Sequence, residues 1–247
     1  TEFFLLFVRI STFISVAPFF SYKQVPRKVK AGLSLFLAII VFQTLPKSVI
    51  EYQTVIEFGI LVIREGITGL TLGFFTNISY FILSFAGQII DMEIGFSMVN
   101  ELDPTSNIQT TITGNYYSYL VILIMIITNL HHHILVALID TFRLIPLGSG
   151  SISMGIYDLV IRLMRDYVII GLRIVLPFFG ALLIVNTILG ILIKVVPQLN
   201  MFVIGIQLKI FIGVLVLFVL VGTVPIVSEF ILGEMIDIMK ATIEVLL

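Results

Sequence analysis

The chain has 247 residues, of which 59% are hydrophobic and 12% charged, and its mean hydropathy is +1.16. Soluble domains are nearer half apolar and a quarter charged, so this composition points to an integral membrane protein. A net charge of −1 excludes the basic footprint of a nucleic-acid binder, and the absence of cysteine excludes disulfides and Cys-based metal or redox sites.

In chain order, apolar runs of helical length fall at roughly 3–20, 31–45, 55–90, 116–147, 167–193 and 203–232. A spanning helix uses about 20 residues. The expected fold is therefore an all-α membrane protein of six to seven hydrophobic helices, arranged as tilted helical hairpins. The runs are continuous rather than alternating, which argues against a β-barrel. With no Trp, any interfacial belt must draw on the eight Tyr.

The first run, FFLLFVRISTFISVAPFF, carries Arg9 within it and leads into a basic loop. A signal peptide has its charge first and a cleavage site after, so this run is expected to be a retained first helix. The loop SYKQVPRKVK holds Lys23, Arg27, Lys28 and Lys30. The third run contains Arg64, Glu65 and the small-residue face Gly66, Gly69 and Gly73, which suits close packing within the chain. No Lys or Arg occurs from 65 to 142, and basic residues return at Arg143, Arg162 and Arg165. The positive-inside rule puts both basic regions in the cytoplasm. Simple alternation then returns the acidic stretch between the third and fourth runs to the same side. Either a long run is broken into a hairpin, or some helices do not cross the bilayer in the ordinary way.

Arg64, Glu65, Arg173, Lys194 and Lys209 sit inside apolar runs. A central Lys or Arg costs about 2.5–3.5 kcal/mol on insertion scales, so such residues are expected to face protein or water. Pro146, Pro177, Pro197 and Pro225 interrupt the same runs and free backbone groups that neighbouring helices must satisfy.

The acidic stretch, MEIGFSMVNELDPTSNIQTTITGNYY, divides in two. Gln88, Asp91 and Gly95 share one face of a helix, with Met92, Phe96 and Val99 on a neighbouring apolar stripe. The residue before Pro104 avoids the helical region, so the helix should end at or before Asp103. The following TSNIQTTITGN is too polar for lipid. It is either an aqueous loop or a segment lining a water-filled path.

His131, His132 and His133 point about 100° apart on a helix and cannot converge on one ion. NLHHH is expected to be a turn between two short helices. Asp140 and Arg143, three apart, can pair. No GxSxG, phosphate-binding Gly loop or HExxH is present, so an intramembrane enzyme has only isolated Asp and His in its favour. A small-solute secondary transporter would use broken helices and charges such as Arg64, Glu65 and Arg173. No internal repeat of paired broken segments supports it.

The ordered set GQIID…GFSM…DPTSN, NLHHHILVALIDTFRLIPLG, VVPQLNMFVIGIQLKIFIGVLVL and the N-terminal VRISTFISVAPFF…VPRKVKAGLSLFLA resembles the flagellar export-gate family FliR and its injectisome, SctT-like, counterparts. Leu130 stands where members commonly have Gly. The resemblance covers nearly the whole chain. It implies a multi-pass subunit of the bacterial inner membrane at the base of a flagellum or injectisome, without enzymatic activity or cofactor. Its implied partners are FliP-like and FliQ-like gate subunits, FlhB-like and FlhA-like export components, unfolded export substrates, rod or needle proteins, and membrane lipid. It further implies a FliP-like part over about 1–150 and a FliQ-like hairpin part over about 151–247. A luminal plug falls near 96–113, around Asp103 and Pro104. Met92, Phe96, Met98 and Leu102 are soft apolar side chains suited to sealing against varied substrates. Gly95 and Gly114 are candidate hinges. Gln88 and Asp91, and Pro197, Gln198 and Asn200 of PQLN, are assigned to subunit packing.

Overall fold

The computed structural model describes residues 1–22, 25–45, 52–96, 111–151, 153–196 and 201–247. Among them the helices are α1 (Glu2–Val16), α2 (Arg27–Thr44), α3 (Val55–Ile94), α4 (Ile112–Ile127), α5 (His131–Leu144), α6 (Ile156–Val195), α7 (Met201–Leu220) and α8 (Val224–Leu246), with a 3₁₀ turn at Val221–Thr223. No strand occurs among the described residues. The protein is an all-α membrane protein. Helices dominate because a helix satisfies its own backbone polar groups where no water can. By length and composition, Ile156–Val195 and Ile204–Leu246 can each cross a membrane, and the bent pair α4–α5 adds a third if it counts as one span.

The third apolar run is one unbroken helix of 40 residues, about 60 Å at 1.5 Å per residue and twice the hydrocarbon thickness. Of the two ways out of the topology misfit, a broken hairpin in this run is thus removed. Its start is fixed by a capping box: the Glu57 N–H donates to Thr54 Oγ1 at 3.3 Å, while Glu57 Oε2 accepts the N–H groups of Gln53 and Thr54. The fourth run does break, at Thr128–Leu130, with a local bend of 75°. The turn expected at NLHHH is there, and α5 begins at His131. The left-handed residue is Asn129, φ 58°, while Leu130 is right-handed helical. Leucine therefore fits at 130 because its asparagine neighbour takes the conformation that glycine would otherwise supply.

The chain forms two compact units, residues 1–80, 126–165 and 230–247 in the first and 81–125 and 166–229 in the second. Both are discontinuous in sequence. In the first unit, α1 buries Leu5, Leu6, Ile10, Phe13 and Ile14. It packs on α2, with Phe3 and Phe42 edge to face at 5.8 Å, and on the glycine face of α3. A Cβ on Gly73 would lie 2.9 Å from the Phe13 carbonyl, and one on Gly69 would overlap Thr12 Oγ1 and the Arg9 carbonyl. GITGLTLG is thus an intrachain contact. A second cluster joins Phe75 to Leu159, Leu163 and Ile238. Ser151 and Ser153 lie against the end of α8, their N–H groups donating to the Leu246 and Val245 carbonyls.

In the second unit, the later half of α3 buries Ile82, Leu83, Ala86, Ile90 and Ile94. α4 contributes Tyr117 and Val121, and α6 a seam of Ile170, Val175, Phe178, Leu182, Val185 and Leu189 at helical spacing. Tyr117 meets Phe178 edge to face at 6.3 Å, and the Phe85 ring lies over Gly171.

Candidate functional site

The polar insert leaves α3 and enters α4, and both ends are described. Asp91 stands in the last turn of α3 and is 5% exposed. Its two carboxylate oxygens accept the backbone N–H of Thr113 at 3.1 and 3.3 Å. Thr113 is the second residue of α4, so that N–H has no acceptor in its own helix. Asp91 caps α4 from a different helix, and its negative charge faces the positive end of the α4 dipole. One turn earlier, Gly87 meets Gly114. A Cβ on Gly87 would overlap the Gly114 backbone, and one on Gly114 would lie 3.1 Å from Ser84 Cα. Two glycines at the crossing let the backbones touch, and this contact carries Asp91 to the α4 terminus. The Thr113 hydroxyl is buried and has no hydrogen-bond partner among the described residues.

Gly95 closes α3 with φ 98°, its N–H donating to the Asp91 carbonyl at 3.0 Å. This left-handed cap is one glycine adopts without a Cβ penalty. Met92 points outward, 65% exposed. Phe96 is partly buried and Gln88 exposed. Asp91, Gly95 and Gly114 therefore gather at the feet of the insert, while Gln88 and Met92 present themselves outside it. Met98, Leu102, Asp103 and Pro104 lie outside the described residues, as do Pro197, Gln198 and Asn200.

A second polar centre lies in the first unit. Arg9 and Glu65 are both 0% exposed. Arg9 Nε and Nη2 donate to Glu65 Oε2 and Oε1 at 2.5 and 2.9 Å, a two-pronged pair. Arg9 Nη1 reaches the carbonyl of Ile145, just past the end of α5, at 3.0 Å and that of Thr141, which also accepts the Ile145 N–H, at 3.5 Å. The guanidinium also sits 4.5 Å from the Phe142 ring centroid. Glu65 Oε1 further accepts the Gly148 N–H at 2.6 Å, and Arg64 Nη1 donates to the Gly148 carbonyl at 3.2 Å. Gly148 has φ 82°. Arg9 and Glu65 thus tie α1, α3 and the turn after α5 together. Sequence reasoning singled out each charge without pairing them. The available signal was one cation and one anion on apolar helices, which in lipid must find each other. Asp140 and Arg143 pair as their spacing predicts, at 3.4 Å on the surface. Arg173 and Lys194 are exposed and Lys209 partly buried.

A family model for bacterial export proteins, family 1, matches residues 1–235. The chain is 29% identical to the flagellar biosynthetic protein FliR of Bacillus subtilis (strain 168), covering 96% of this chain and 93% of that one. It is 30% identical to the FliR of Buchnera aphidicola subsp. Schizaphis graminum over 90% of this chain and 86% of the relative. With the FliR of Escherichia coli (strain K12) it shares 26% identity, over 94% and 88%.

Proposed function

Because the chain belongs to the family of bacterial export proteins, family 1, we propose that it is a non-enzymatic subunit of the protein-export gate at the base of the flagellum. It builds the inner-membrane channel for unfolded substrates together with FliP-like and FliQ-like subunits. Its further partners are FlhB-like and FlhA-like export components, and rod proteins build on top of the gate. Residues 1–150 form the FliP-like part and 151–247 the FliQ-like part. The polar insert, with Met92, Phe96, Met98, Leu102, Asp103 and Pro104, forms the luminal plug.

The observation that carries the plug reading is the clasp at its feet. A polar segment leaves and rejoins apolar helices at one tightly closed point, Asp91 on Thr113 with Gly87 on Gly114. Polar backbone at membrane depth needs protein or a water-filled path around it, and a protein-conducting lumen supplies both. The ion pair counts against the small-solute transporter. Both Glu65 oxygens are taken by Arg9 and Gly148, which leaves neither of them open to a coupling ion. Replacing residues 102–110 by glycine, which spares Thr111 before α4, is expected to raise passive ion leak across the inner membrane while the complex still assembles. An assembled complex with wild-type leak overturns the plug assignment.

A further inference from the structure

We propose that Asp91 is a positioning residue for the insert, its carboxylate fixing the separation of the insert's two ends. The inference rests on the plug reading above and goes beyond it by naming the side chain that sets the plug's footing. Four observations meet at this point. Asp91 is buried, yet both its oxygens are directed at one backbone N–H of a different helix. That N–H belongs to the first turn of α4, where a buried donor without an acceptor is costly. The glycine crossing brings the helices together at 87 and 114, one turn of α3 from Asp91. Finally, α3 stops four residues beyond Asp91, at the left-handed Gly95. The insert therefore begins within one helical turn of Asp91 and ends within one turn of Thr113.

A carboxylate suits this role better than a neutral group. Hydrogen bonds to a charged acceptor are stronger than neutral ones, and the α4 dipole adds to the attraction. Closing the feet also lowers the number of conformations open to the segment between them. Loss of the carboxylate would release the start of α4 while leaving the apolar contacts of α3, α4 and α6 in place.

The test uses the whole assembly in its own membrane. Asp91→Ala is expected to raise passive ion leak toward the level of the 102–110 glycine replacement. Asp91→Asn, which keeps one acceptor oxygen, should leak at an intermediate level. In the purified assembly, hydrogen exchange at the Thr113 amide should quicken roughly tenfold or more in Asp91→Ala, as expected for losing a bond to a charged group. A merely structural Asp91 would lower the melting temperature of the assembly and leave the leak at the wild-type level, and that result overturns the proposal. Unchanged exchange at Thr113 overturns it as well. If the 102–110 replacement itself does not leak, the plug reading fails and this proposal with it, whereas leak from that replacement alone overturns only the role of Asp91. Should Asp91→Ala not assemble, Asp91→Asn carries the same readings, and wild-type leak and exchange in that variant overturn the proposal.

Discussion

Arg9 and Glu65 place two full charges where no water reaches them. Such a pair costs much desolvation and is sustained only when its remaining donors and acceptors are met. Here they are: the Thr141 and Ile145 carbonyls at the end of α5, the Gly148 N–H and the Phe142 ring complete the shell. Removing one partner strands the other. Glu65→Ala is expected to destabilise the folded subunit by about 3–5 kcal/mol, with Arg9→Met close behind. The double variant Arg9→Met/Glu65→Leu should cost less than either single change, because it leaves no buried charge unpaired. Thermal unfolding of the assembled complex checks the order, and a double variant worse than both singles would contradict this account. The pairing was half-legible: the charges stood out against their apolar runs, but nothing in spacing says that position 9 meets position 65.

At the scale of elements, α1 and α3 pack with almost no space between them. Gly69 faces the Arg9 carbonyl and Thr12, whereas Gly59 on the same helix faces nothing within 4 Å. Gly69→Ala must push backbone from backbone and should cost about 1–3 kcal/mol. Gly59→Ala should be neutral or slightly stabilising, since alanine favours the helix. Both variants replace one hydrogen by the same methyl group, so a melting comparison isolates packing. Equal melting temperatures would show that α1 does not sit on this face. The small-residue pattern and the break at NLHHH were both readable from composition. That asparagine 129 rather than residue 130 would carry the left-handed backbone was not, because the turn type follows from how α4 and α5 end.

For the whole molecule, the apolar exterior is the leading fact. In the candidate span Ile204–Leu246 only 11% of the most apolar window is buried, and in Ile156–Val195 33%. Large side chains such as Phe211, Phe218, Leu176 and Ile184 stand in the open. A surface of this kind is covered by lipid or by other proteins. Residues of both signs, such as Asp158, Arg173 and Lys194, lie on the exposed faces of α6 as well, and charges of this kind avoid lipid. The proposed gate accounts for both features through neighbouring subunits. Gentle detergent extraction is expected to recover the chain in a hetero-oligomer with two further hydrophobic proteins. A stable monomer or homodimer under those conditions would remove the gate-subunit reading.

Composition alone determined that the chain is an all-α membrane protein, because an excess of continuous apolar residues leaves the backbone no other way to satisfy itself. Ordered short motifs determined the family, and turn residues marked breaks at NLHHH and Pro146. Only the tertiary structure decided that α3 runs unbroken for 40 residues, that Arg9 answers Glu65, and that Asp91 caps α4. Each of these depends on two segments far apart in the chain meeting at contact distance. Local pattern encodes which face of a helix is apolar, but not which distant backbone that face will touch.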